Sequence, residues 1–168
     1  FTFGSSDYRG VHFGSSYDAF PYSEGDTVDI LASLELNEYN DRVNISVLVK
    51  DVRASDFRQE RYFAAKTAYE DYRCGKVDKR LVCRMLPEGD DMKKAYDILN
   101  MTAFFSKAEL LAERAGLNCC KFGIITDIFE EFGLVEKDIT ADRIKVIPRK
   151  DKADLSKSRI LASLKDIL

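Results

Sequence analysis

A single switch in hydrophobic period, near Ser55, constrains this chain more than any other feature of its sequence. Before it, apolar and polar residues alternate with period two, most clearly over residues 25–53, GDTVDILASLELNEYNDRVNISVLVKDVR. Val28, Ile30, Ala32, Leu34 and Leu36 fall on one face, and Asp29, Leu31, Ser33, Glu35 and Asn37 on the other, as a half-buried strand requires. Beyond a turn at Asn40 and Asp41, the residues Val43, Ile45, Val47 and Val49 repeat the apolar face opposite Asn44, Ser46, Leu48 and Lys50, so the two runs predict a long hairpin. Upstream, YRGVHFG at 8–14 predicts another short strand, with Gly10 and Gly14 as places to bend. Short antiparallel strands with glycine bends predict a small barrel.

After Ser55 the period is helical. Ser55 is placed to cap a helix that carries Phe57, Ala64, Ala65, Ala68 and Tyr72 on one face and stops at Gly75. A short apolar segment, RLVCRML, ends at Pro87, and three helical patterns follow. The first spans Asp90 to Asn100. The second opens on a capping box, Ser106 with Glu109, and closes at Gly116; the third runs from Asn118 past Phe122, Ile125, Ile128, Phe129 and Phe132 to Gly133. Two β-prone runs, LVEKDI and RIKVIP, precede a last amphipathic helix with Ile160, Leu161, Leu164, Ile167 and Leu168 as its stripe. Three helices followed by a hairpin predict a winged-helix-like arrangement.

Chemistry is limited by the ligand inventory. The chain has one histidine, His12, and its four cysteines, Cys74, Cys83, Cys119 and Cys120, form no CxxC pair, so neither a zinc site nor a disulfide framework is expected. Glycine-rich phosphate loops are absent, and the exposed-face carboxylates Asp29 and Glu35 read as solvated rather than as metal ligands. No run reaches the ~20 apolar residues that a bilayer span needs, and the first residues lack a signal-peptide layout; a soluble cytoplasmic protein with no membrane contact is expected. Phe1 opens within a strand-like run without an initiator Met, as expected of a piece of a longer polypeptide.

Single-strand binding asks for less: cationic or amide groups for phosphates, and exposed rings on which bases stack at ~1–3 kcal/mol each. Tyr8, Phe13, Tyr17, Phe20, Tyr22 and Tyr39 supply rings, and Arg9, Arg42, Asn44, Lys50 and Arg53 the polar groups. Against this, residues 1–54 hold four Lys/Arg and nine Asp/Glu, a balance that opposes phosphate binding by the barrel alone. Residues 55–87 hold eight and five, so a cationic path would run along Arg58, Arg61, Arg73, Lys76, Lys79, Arg80 and Arg84.

The stretch from Gly25 to Arg53 resembles the OB-fold domain of RecJ exonucleases, in which a GD-x-VD opening, an L-E-x-NE-[WY]-N centre and a closing [VI]-KD-[VI]-R recur; RGVHFG resembles the strand before it, and residues 78–168 are similar in order to the C-terminal domain of Firmicute-type members. The resemblance implies an α+β architecture. An OB-fold-like barrel with its first strand partly missing would occupy 1–54, a connector helix 55–77, and a winged-helix-like helical domain 78–168. It implies a parent enzyme that degrades single-stranded DNA from the 5′ end in recombination and repair, with Mn²⁺ or Mg²⁺ held by DHH motifs; none of those motifs is in this chain, which would itself be non-catalytic and hold no cofactor. The implied partners are single-stranded DNA, the enzyme's own N-terminal catalytic domains, and proteins such as single-strand-binding protein or a helicase. DNA-facing candidates are Arg9, Phe13, Tyr39, Asn40, Arg42, Asn44, Lys50, Arg53, Arg58 and Arg61, with Asn37 and Glu38 facing either DNA or the catalytic core. The alternative is a docking module that never touches DNA.

Overall fold

The computed structural model describes residues 2–13, 20, 22–39, 42–101, 108–138, 143–149 and 151–168. The chain is α+β and divides into two compact units, Phe1–Phe57 and Arg58–Leu168.

Among the described residues the regular elements of the first unit are all strands. β1 (Thr2–Phe3) and β2 (Ser6–Asp7) pair antiparallel, and β3 (Gly10–His12), β4 (Val28–Tyr39) and β5 (Arg42–Ala54) form a separate sheet in the order β3-β5-β4. β4 and β5 are the predicted hairpin, in register from Val28 opposite Ala54 to Tyr39 opposite Arg42. One irregularity interrupts it: Leu31 faces Asp51 and Ala32 faces Val49, which leaves Lys50 as an extra residue. The sequence requires this bulge. The inward apolar residues of β4 are all even-numbered, whereas those of β5 are odd from Val43 to Val49 and even at Val52 and Ala54; one inserted residue keeps Ile30 opposite Val52 while Leu34 stays opposite Val47. β3 runs parallel to β5, with Gly10 at Val47 and His12 at Val49. Among the described residues the sheet does not close into a barrel.

Burial on the apolar face is uneven. Val47 is buried and Val28, Ile30, Ala32, Val49 and Val52 are half-buried, but towards the hairpin tip Leu34, Leu36, Val43 and Ile45 are 71, 73, 59 and 65% exposed. His12, Phe20 and Tyr22 pack edge to face in a row.

Ser55 does not cap a helix. Its amide donates to Thr27 O and its hydroxyl to Asp29 Oδ1, which ties it to the end of the hairpin. A turn closed by Phe57 N on Ala54 O follows, and α1 (Gln59–Arg73) begins with Arg58 at an N-cap without a side-chain bond. Phe57 therefore precedes the helix and Ala64 is exposed, while Ala65, Ala68, Tyr69 and Tyr72 form the face that packs on the core of the second unit.

In that unit a 3-10 turn, Lys79–Leu81, leads into α2 (Val82–Met85), then α3 (Gly89–Met101), α4 (Ala108–Arg114), α5 (Cys119–Glu131), the antiparallel pair β6 (Val135–Asp138) and β7 (Arg143–Val146), and α6 (Arg159–Asp166). Ser106 of the expected capping box lies outside the described residues. Asn118 caps α5 by accepting from Lys121 N, and Gly133 ends it in a left-handed conformation, φ 66°, in which Gly133 N reaches Glu130 O and Leu134 N reaches Phe129 O. α5 is the core: Cys120 and every residue from Phe122 to Phe129 are buried, among them two Phe and three Ile that contribute about 1.5–3 kcal/mol each on burial. α6 presents the predicted stripe, with Leu161 and Leu164 buried and Ile160 and Ile167 packed beside them; Leu168 is exposed.

Candidate nucleic-acid interface

The sequence candidates fall on both units. In the first, Arg9 is exposed just before β3 and Phe13, 76% exposed, just after it. Asn44 is exposed on β5, opposite Asn37 in register. Tyr39 and Arg42 are the last cross-strand pair of the hairpin. Asn40 lies outside the described residues, as do the side chains of Tyr39 and Arg42. Lys50 is the extra residue of the bulge and is exposed, a position in which a strand is re-aimed and a side chain freed from the ladder. Arg53 is exposed but committed: its Nε and Nη2 each meet Asp29 Oδ2 at 3.1 Å.

In the second unit, Arg58 and Arg61 are exposed at the start of α1. Of the other cations expected on a basic path, Arg73 pairs with Asp127 and Arg80 with Asp78, while Lys76, Lys79 and Arg84 are exposed and in no ion pair among the described residues. Among these candidates, the described cations in no ion pair are thus Arg9 and Lys50 on the strand unit and Arg58, Arg61, Lys76, Lys79 and Arg84 on the helical one.

The most elaborate polar cluster was missed by the sequence reading. Asp127 is buried on α5 and accepts from Tyr69 Oη at 3.1 and 3.2 Å, from Arg73 Nη1 at 3.2 Å, and from Lys137 Nζ. Burial first, and the Asp127 carboxylate second, raise the Tyr69 phenol, and the same causes push Tyr72 up to about 12. A lone acid inside the apolar run 122–129 was the available signal, since a buried carboxylate demands partners. Next to it, Glu131 accepts from Ser158 Oγ at 2.6 Å and from Arg159 N at 3.0 Å, at the start of α6. Asp127, Glu131 and Arg159, with Tyr72, Arg73, Glu130 and Ile160, line an open cleft of about 760 Å³. Its arginines and carboxylates neutralise one another, so it is not a phosphate site. Among the described residues no group of three His, Cys, Asp or Glu converges to hold a metal ion, and no helix is long and apolar enough to cross a membrane.

α5 follows α4 after a short turn, and its run Phe122–Phe129 leaves no exposed face at the centre of the helix. α1 packs against it, and Cys120 with every residue from Phe122 to Phe129 is buried. Compared with protein-family models, with curated proteins and with solved structures, the chain matches none of them.

Proposed function

We propose that this chain is an accessory, non-catalytic part of a RecJ-type 5′ to 3′ single-strand-specific DNA exonuclease, whose strand unit helps to hold or guide single-stranded DNA. The carrying observation is the hairpin of residues 25–53: the stretch that bears the family resemblance is one paired unit, and its bulge releases Lys50 to solvent on the strand that also carries exposed Asn44. Phe13 adds an exposed ring after β3, the arrangement that stacking on unpaired bases uses. The reading extends to an OB-fold-like first unit and a winged-helix-like second unit, with the buried α5 removed from duplex recognition and the exposed Arg58 and Arg61 of α1 available to a backbone. Metal chemistry, by Mn²⁺ or Mg²⁺, belongs in this reading to catalytic domains of the parent enzyme.

A second reading, a module that docks protein and does not touch DNA, is favoured by one specific observation: Arg53, Arg73 and Arg80, three of the eleven cations named for a DNA path, are already neutralised by Asp29, Asp127 and Asp78. Fluorescence-anisotropy titration with labelled oligo-dT at two salt concentrations, against a duplex of equal length, separates the two. Salt-sensitive preference for the single strand supports the first; no binding at micromolar protein supports the second.

A further inference from the structure

We propose that the outer edge of β4 is a docking site for an extended polypeptide segment in which apolar side chains alternate with Lys or Arg. β4 pairs only with β5 among the described residues, and within them its other side presents the unpaired backbone donors and acceptors of a 12-residue strand. A row of large aliphatic side chains lies along that edge and the strand behind it: Leu34, Leu36, Val43 and Ile45 are each more than half exposed. Monomeric proteins rarely leave such a row uncovered, and a strand added at the edge sets its own side chains against Leu34 and Leu36 while completing the ladder.

Charge selects the occupant. β4 carries Asp29, Glu35 and Glu38 and no Lys or Arg. Asp29 is held by Arg53 and Ser55, whereas Glu35 and Glu38 are exposed and in no ion pair among the described residues. Edge strands are commonly guarded by Lys, which repels a like-charged neighbour; here the guard is acidic. A second β4 would set carboxylates against carboxylates, and a phosphate backbone would meet the same repulsion. A segment with apolar residues over Leu34 and Leu36 and a base across from Glu35 meets neither.

The experiment uses the whole chain and two labelled strand-length peptides, one alternating Val with Lys and the other Val with Glu, titrated by anisotropy. The Lys peptide is expected to bind at least about fivefold tighter at low salt, with the gap narrowing as salt rises. The double variant Glu35→Lys with Glu38→Lys alters only exposed, unpaired side chains, and its circular dichroism checks the fold; it is expected to prefer the Glu peptide. Leu36→Ser with Ile45→Ser is expected to weaken both peptides. Equal affinities, or binding of neither peptide, overturn the proposal. Concentration-dependent dimerisation abolished by Leu36→Ser with Ile45→Ser assigns the edge to a second copy, and oligo-dT binding abolished by that variant assigns it to nucleic acid; either overturns it too.

Discussion

The ring of Tyr69 on α1 lies so close to Gly123 on α5 that a β-carbon added to the glycine would sit 2.6 Å from its Cε2 and Cζ atoms. The helices can meet only because position 123 has no side chain, and the approach lets the Tyr69 hydroxyl reach Asp127 one turn further along α5. Gly123→Ala gains helix propensity of about 1 kcal/mol but overpacks the contact by about 1–3 kcal/mol, so urea unfolding is expected to show a net loss. In a Tyr69→Ala background the same substitution should become neutral or stabilising. A loss unchanged by removing the ring would show that the contact is not the cause.

Asp127 neutralises two cations, one of them with little access to water: the Lys137 side chain is only 14% exposed. Asp127→Asn keeps the volume and leaves Lys137, among the described residues, with Glu130 as its one carboxylate partner, 3.6 Å away. The expected cost is about 2–4 kcal/mol in denaturant unfolding. Lys137→Met, which removes the buried charge together with its need for a partner, should cost less. The reverse ranking would mean that the buried Asp127 carboxylate depends on Lys137 more than Lys137 depends on it.

The hairpin, the three helices at 89–131 and the β6-β7 pair were legible because each follows a period or a cap, as Asn118 and Gly133 show. What was not legible depends on contacts between segments distant in sequence. Ser55 looks like a cap by identity, but Asp29, 26 residues earlier, claims its hydroxyl. The α1 face was misread because Phe57 and Ala64 fit a helical stripe as well as Tyr69 does, and only packing on α5 decides between them. The bulge was visible in retrospect as the change of parity between Val49 and Val52. For the candidate site, residue type did not show which arginines were already paired.

Acid titration should reveal the Glu131 clamp on α6. The Ser158 hydroxyl bond holds the Glu131 carboxyl below its ordinary 4.5 despite the opposing effect of burial, helped by the Arg159 amide and guanidinium. A depressed folded value means that the ionised clamp stabilises fully above the ordinary value and fails as pH falls through the folded one. Glu131→Gln should therefore lower the melting temperature at neutral pH and flatten its fall between about pH 5 and 3. Parallel melting curves for the variant and the unaltered chain would remove Glu131 from the account.

Thiol chemistry separates three of the four cysteines by position. Cys74 and Cys83 are exposed, whereas Cys120 is buried and its thiol is pushed up to about 12, chiefly by burial and then by neighbouring Cys119. Burial with a raised thiol keeps Cys120 un-ionised and out of reach at neutral pH. An aromatic disulfide reagent should modify Cys74 and Cys83 quickly in the native chain and Cys120 only on unfolding. Fast native labelling of Cys120, located by peptide mapping, would contradict the packing of α5.

Lys50 and Arg53, on one strand, give the sharpest test of whether the sheet contacts DNA. Lys50 is the unpaired residue of the bulge, and Arg53 already shares its charge with Asp29 at 3.1 Å. If phosphates are bound here, Lys50→Ala removes one full contact and should lower the salt slope of oligo-dT binding by about 0.7. Arg53→Ala should lower it by less, because the arginine must first leave its carboxylate. Asp29→Ala should strengthen binding by freeing that cation, provided that the loss of the Ser55 bond leaves the hairpin intact, which far-UV circular dichroism checks. Equal small effects from all three would place the nucleic acid elsewhere, and on this chain the uncommitted Arg58 and Arg61 would then be the next to substitute.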